Sequence, residues 1–370
     1  MNKGKVPFVI YTDSKRYWNI FKPICDEFEK RETECLYLTA SPDDPSLTFD
    51  YKYIKAEFIG EGNKGFARLN MLKAYICLST TPGLDVLQWK RSRDVDWYVH
   101  TYHTVGDSLG YRMFGIDYYD AILKTGQHQE RAIRALEKVR NLPAKETVTV
   151  GSTHLDAMKK RADQMDLSKR ESENKIILLA PSWGESSILN KYGANLIQKL
   201  VETGYKIVIR PHPQSKISDP EMLDSLQKQF PNSERLEWNF DNDNFDILSR
   251  SDLMISDFSG VMYDYTFIFD RPLIYTEIDC DISQYDAAWV DYVMWPLAMP
   301  PVLGHELKES DFDNLKQVID ETLASEVYAA GRKAAVAEGW EYQGEAAKRT
   351  VDYLIQKYNQ LKEKEETEKK

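Results

Sequence analysis

Short runs of apolar, β-branched and aromatic residues alternate along the chain with longer stretches whose apolar positions recur at helical spacing. That rhythm is the signature of βαβ units and parallel sheets. Strands are predicted at 7–11, 35–38, 74–78, 97–100, 121–123 and 147–150, with a helix through Trp18, Phe21 and Phe28 after the first. The second half repeats the pattern: strands at 175–181, 206–210, 253–256 and 272–275, with helices running to Thr203, Phe230 and Phe269. From Asp311 onward the period is helical, and the charged tail LKEKEETEKK is expected to fray. The stretch DQMDLSKRESENK at 163–175 is almost wholly polar and marks a boundary. The predicted organisation is α/β, with a doubly wound domain over 1–165, a second over 175–330, and helices with a charged tail over 331–370.

Composition narrows the classes of function. The 370 residues carry 48 Lys+Arg against 59 Asp+Glu, a net charge of −11, which argues against broad nucleic-acid binding. A hydrophobic share of 42% with 29% charged residues is that of a globular chain, not a disordered one. Cys25, Cys35, Cys77 and Cys280 show no CxxC spacing, so they read as reduced thiols, with neither a disulfide framework nor a zinc site. The apolar run 7–11 is too short for a signal peptide, and no run approaches the ~18–20 residues of a membrane span. A cytoplasmic protein is expected, crossing no membrane.

In open parallel sheets ligands bind at the carboxyl ends of strands, so the residues there are the candidates for chemistry. Strand 206–210 runs into Arg210-Pro211-His212-Pro213, where two prolines hold one histidine in extended backbone beside a cation, an arrangement suited to an anion. Strand 253–256 ends in Ser256-Asp257-Phe258-Ser259-Gly260 and opens an apolar helix containing Asp264. Small residues and unspent N–H groups at such a helix start form a site for a diphosphate, though an ordinary N-cap is the simpler alternative. Strand 175–181 leads into Ser182-Trp183-Gly184, offering hydroxyls and an aromatic that is either a ligand surface or a packing plug. In the first half, His100 and His103 end strand 97–100. His103, just before Gly106, is the candidate general base, while His100 reads as a buried imidazole or as its rival. No carboxylate-rich partner accompanies the pair, so no metal site is predicted.

Taken in order, Ala180-Pro181-Ser182-Trp183, Arg210-Pro211-His212-Pro213 and 256–265, with the closing Gly344-Glu345-Ala346-Ala347-Lys348-Arg349, resemble the CDP-glycerol glycerophosphotransferase family, which builds teichoic-acid-type polymers. The resemblance implies a GT-B fold, two Rossmann-like domains facing a cleft, with the acceptor served by the first and the nucleotide held by the second. It implies transfer of a polyol phosphate, glycerol phosphate first among them, from a CDP-linked donor to a hydroxyl of a lipid-linked or polymer acceptor, with release of CMP at the inner membrane face. The family's catalytic histidine lies in a Trp-His-Gly segment, and the match here is Tyr102-His103-Thr104. The roles that follow are His103 as base, His212 and Arg210 on the diphosphate, and Ser259 and Gly260 holding it at the helix start. Ser182, Trp183, Ser256 and Asp257 line the donor loops. Arg349 is a further candidate, and Asp264 orients either the helix or a ribose hydroxyl. No cofactor is expected to be tightly bound, and magnesium enters only as a companion of the diphosphate.

The same scaffold also serves UDP-sugar glycosyltransferases and UDP-N-acetylglucosamine 2-epimerases, and a binding protein that has lost its chemistry is the alternative outside enzymes. Two clusters, 87–93 and 15–18, mix tryptophan with cations and are candidates for peripheral contact with anionic lipid. The aromatic stretch 279–300 is long for a connection, and it either covers a ligand or packs the domains together.

Overall fold

The computed structural model describes residues 4–165, 175–241, 243–277 and 281–368. Most of the polar stretch 166–174 and Cys280 lie outside the described residues. By its internal contacts the chain divides into two units: Met1–Ala157 with Ile282–Met294 and Glu338–Lys370, and Met158–Asp281 with Trp295–Ala337.

The first unit is built on β1 (Val6–Thr12), β2 (Cys35–Thr39), β3 (Ile54–Phe58), β4 (Ala74–Ser79), β5 (Val95–Thr101), β6 (Ala121–Lys124) and β7 (Glu146–Thr149). They pair in parallel in the order β3-β2-β1-β4-β5-β6-β7. The second unit holds β8 (Ile176–Leu179), β9 (Lys206–Ile209), β10 (Leu236–Trp238), β11 (Leu253–Ser256), β12 (Leu273–Thr276) and β13 (Gly304–Leu307), ordered β10-β9-β8-β11-β12-β13 and also parallel. In both sheets the chain turns back on its own order once, between β1 and β4 and between β8 and β11. These reversals are where a doubly wound sheet opens a crevice at its carboxyl edge.

The central strands are buried on both faces, which is why they read as unbroken apolar runs. Three strands beyond the predicted set, β3, β10 and β13, are all edge strands. β13 depends on one glycine: a Cβ at Gly304 would lie 1.6 Å from the Leu273 carbonyl oxygen, so only a residue without a side chain lets the strand approach β12.

One core packs Phe8, Ile10, Phe21, Phe28 and Tyr37 under the first sheet, and Val351 and Leu354 of the closing helix Ala346–Glu368 complete it. Tyr358 of that helix meets the rings of Phe8 and Tyr75 at 5.2 and 5.1 Å. Each such side chain contributes about 1.5–3 kcal/mol on full burial. The helix continues through Glu368, so the tail expected to fray is helical where it is described. The three described cysteines, Cys25, Cys35 and Cys77, are free and buried.

The aromatic stretch anticipated as a cover or a packing element returns in part to the first unit, through Ile282–Met294. Its anchor is Asp286, fully buried, which accepts from the backbone N–H groups of Phe114 and Gly115 at 2.8 and 3.0 Å. Arg140 bridges Asp286 and Asp117 at 2.5 and 2.6 Å, all three side chains being nearly inaccessible. The guanidinium also lies against the rings of Phe114 and Trp289.

Candidate active site

In the first unit, the carboxyl ends of β1, β4 and β5 bring together Arg16 and Tyr17, Thr80, and His103. His103 is half-buried, its ring centroid 4.9 Å from that of Tyr17 and 6.3 Å from that of Tyr111. Its Nδ1 lies 3.1 Å from the hydroxyl of Thr80, the first residue after β4. Burial lowers the His103 pKa to about 4, and the nearby charges of Arg16 and His154 push in the same direction, so the ring is neutral at physiological pH. His100 is the fully buried partner of the pair. Its Nε2 is 2.9 Å from the Tyr111 hydroxyl, it is ringed by Tyr102, Tyr111 and Tyr119, and burial lowers its pKa to about 3. Of the two histidines, His103 is the one with access to a ligand.

In the second unit the loops after β8 and β11 are tied to each other by buried polar groups. Asp257 is completely buried and accepts from the N–H groups of Ser182 and Phe258 at 2.8 Å each, and of Ile188 at 3.0 Å. Ser256 donates its hydroxyl to the Ala180 carbonyl at 2.7 Å. These contacts make Ser256 and Asp257 the clasp that holds the β8 and β11 loops, with their side chains turned into the protein. Desolvation raises the Asp257 pKa from its ordinary value, the three N–H groups opposing it.

His212, half-buried after β9, accepts at Nδ1 from the Gln214 N–H at 3.1 Å. A backbone amide can only donate, so the neutral ring carries its proton on Nε2. Trp183 is 48% exposed with its ring centroid 6.5 Å from that of His212, which favours an aromatic surface over a packing plug. Ser259 and the exposed Gly260 precede the helix Val261–Phe269, and a Cβ at Gly260 would meet open space. The N–H groups of Met262 and Tyr263 in the first turn of that helix donate to the Ser259 and Gly260 carbonyls at 3.2 and 3.1 Å. Asp264, in its first turn, is half-buried.

Arg210 stands beside this group, but two of its donors are committed: to the Asn239 side chain, and at 2.7 Å to the Asp241 carbonyl. It braces the loop after β10, and burial lowers its pKa. Arg349 lies in the first unit, 3.4 Å above the Tyr342 ring and 3.5 Å from Glu345. The turn before it is held by Asp156, which accepts from the N–H groups of Gly344 and Ala346 and from the Trp340 indole at 2.8–3.0 Å. A carboxylate at the start of the closing helix complements its dipole.

The aromatic members of the two proposed lipid-facing clusters are turned inward. Trp89 is 4% exposed, its ring edge-on to Tyr11, and Trp18 packs against Tyr37. Arg91 is engaged with Asp120. Among the described residues no helix is long and apolar enough to cross a membrane, and no group of three or more His, Cys, Asp or Glu is placed to hold a metal ion.

Thr80, Arg16, Tyr17 and His154 around His103, and Asn239 and Asp241 around Arg210, escape the sequence reading. The signal that could have found Thr80 is the run Ser79-Thr80-Thr81-Pro82-Gly83, hydroxyls followed by a turn at the end of an apolar strand.

Residues 115–356 match the family described as CDP-glycerol:poly(glycerophosphate) glycerophosphotransferase. No curated protein sequence matches the chain. Among solved structures, the wall teichoic acid polymerase TagF is similar with a TM-score of 0.61 at 17% identity, over 97% of this chain and 90% of that one. A UDP-GlcNAc 2-epimerase from Neisseria meningitidis bound to UDP-GlcNAc gives 0.59 at 14%, over 95% and 100%. A further UDP-N-acetylglucosamine 2-epimerase gives 0.64 at 16%, over 96% and 97%. At such identities the likeness establishes the fold, two Rossmann-like α/β domains of the GT-B kind.

Proposed function

The chain belongs to the CDP-glycerol:poly(glycerophosphate) glycerophosphotransferase family, and from that premise we propose how its residues divide the transfer of glycerol phosphate from CDP-glycerol to a polymer hydroxyl. His103 takes the proton of the attacking hydroxyl. That oxygen bonds to the glycerol-bearing phosphorus, the bond from this phosphorus to the bridging oxygen breaks, and CMP leaves with the electron pair. Positioning and charge stabilisation are the main tasks of the protein in such a transfer.

The neutral His103 ring is free to accept, and the negative charge of a bound diphosphate would raise its pKa from about 4 toward neutrality, strengthening it as a base when substrate is present. His212, with its proton on Nε2, donates to a phosphoryl oxygen. The N–H groups at Ser259 and Gly260 supply further donors at a helix start. Trp183 offers a face to the nucleotide, Asp264 and Arg349 are secondary contacts, and Ser182, Ser256, Asp257 and Arg210 act by holding the loops. Magnesium would arrive as a companion of the diphosphate.

We place the acceptor in a teichoic-acid-type cell-envelope polymer on a lipid carrier at the inner membrane face, with peripheral contact limited to the exposed Leu87, Lys90 and Arg93. The observation that carries the reading is the family match over 115–356, which takes in Trp183, His212, Gly260 and Arg349. His103 lies upstream of it and rests on its own geometry. The test is CMP release from CDP-glycerol with a poly(glycerophosphate) acceptor, beside parallel reactions with UDP-N-acetylglucosamine. Polymer-dependent CMP release is expected; isomerisation of the UDP-sugar, or tight CDP binding with no turnover, would overturn the assignment.

A further inference from the structure

The group facing His103 at Nδ1 is a hydroxyl, that of Thr80. In hydrolase triads a buried carboxylate holds the imidazole Nδ1–H and stabilises the imidazolium that forms. The charged neighbours of His103 are the cation Arg16, from the loop after β1, and His154, in the helix Thr153–Asp163; both disfavour a protonated ring. Tyr17 and Tyr111 present aromatic rings to it. The polar group in hydrogen-bond contact with Nδ1 is the Thr80 hydroxyl, at 3.1 Å and itself completely buried.

We propose that Thr80 is the positioning residue of His103, fixing the ring through Nδ1 and accepting the Nδ1–H of the imidazolium while Nε2 exchanges the proton with the acceptor hydroxyl. With Nε2 exchanging the proton, Nδ1 keeps its hydrogen in both protonation states, and the hydroxyl accepts from it in both, which selects the neutral tautomer whose Nε2 lone pair is open to the acceptor hydroxyl. A carboxylate would serve the imidazolium better, whereas Thr80 supplies orientation without adding a fixed charge beside the ring. Its place is set by topology: Thr80 follows β4, directly at the reversal beside β1, and His103 follows the neighbouring β5. The inference rests on His103 being the base.

The experiment measures CMP release from CDP-glycerol with poly(glycerophosphate) acceptor for Thr80→Val, Thr80→Ser and His103→Ala, with thermal melts to confirm folding. Thr80→Val keeps the shape and removes the hydroxyl. Its kcat should fall about 10- to 100-fold, the worth of one hydrogen bond to a charged group. KM for CDP-glycerol should stay unchanged, and the acid limb of the kcat/KM profile should move to lower pH as the imidazolium loses its partner. Thr80→Ser should restore most of kcat and return the limb to its wild-type position. Wild-type kcat in Thr80→Val would overturn the inference, as would a fall in which the pH profile stays fixed and Thr80→Ser is equally impaired. Near-normal turnover in His103→Ala would remove the base reading itself, whereas an inactive His103→Ala beside a fully active Thr80→Val would remove only the role of Thr80.

Discussion

The two units share one order over six strands, the first adding a seventh, and His103 and His212 each follow a strand end, yet the two rings are held in opposite ways. His212 is bonded at Nδ1 by a backbone amide, which can only donate, so its neutral form is locked with a proton on Nε2. His103 has a side-chain hydroxyl at Nδ1, which can accept from an Nδ1–H and so leave Nε2 unprotonated in the neutral ring. In the proposed roles the first arrangement keeps a donor at Nε2, and the second leaves Nε2 open to take up a proton. The lesson is that the nearest neighbour of a histidine, more than its exposure or its place in the fold, decides which half of a transfer reaction it can serve.

The sharpest break of this comparison is a pair of matched replacements. His103→Gln should lose ~10²–10⁴ of turnover, because an amide cannot take a proton at neutral pH. His212→Ala should lose ~10²–10³, while His212→Gln, which can still donate, should retain clearly more activity than the alanine variant. CMP release decides it, and equal inactivity of both glutamine variants would mean that the two rings do not differ in role. A smaller effect separates the buried carboxylates of the two units. Asp286→Ala leaves Arg140 buried with only Asp117 as its carboxylate partner and should cost about 3 kcal/mol in urea unfolding. Asp257→Asn, which strands N–H groups but no charge, should cost about 1–3 kcal/mol.

The smallest effect is a pH dependence. His103 is held near pKa 4 in the fold against 6.5 for the free side chain, so below pH 6.5 the unfolded chain binds the extra proton first. Its contribution to stability is complete above pH 6.5 and is lost progressively as pH falls through about 4. Melting temperatures between pH 7 and 4 should therefore drop less in His103→Gln than in the wild type, and parallel curves would show that the ring is not shielded as described.

Much of this architecture was legible in the sequence, and what was missed has a common cause. Strands buried on both faces announce themselves as apolar runs, as at 253–256 and 206–209, whereas β3 buries only Ile54 and β10 is three residues long. Edge strands are specified by the neighbour they join more than by their own composition. The strand-end motifs were equally visible, but not the direction in which their side chains turn. Ser256 and Asp257 read as ligand contacts and prove to be a clasp, because the amides they bind lie some 70 residues earlier in the chain. Trp89 stood in a cluster offered for lipid contact, with no local sign that Tyr11 would cover it. Arg140 finds Asp286 across 146 residues, a pairing no window of sequence can display.

The return of Ile282–Met294 and Glu338–Lys370 to the first unit has a consequence for how the protein is made. During synthesis at ~5–20 residues per second, domains ordinarily fold in the order in which they leave the ribosome. Here the leading half emerges with Arg140 unmatched by Asp286 and with the apolar faces of Phe8 and Tyr75 uncovered by Tyr358. It is completed only by Ile282–Met294 and Glu338–Lys370, whereas the last residues of the second unit, Trp295–Ala337, precede the closing helix. The half made first is thus the half finished last.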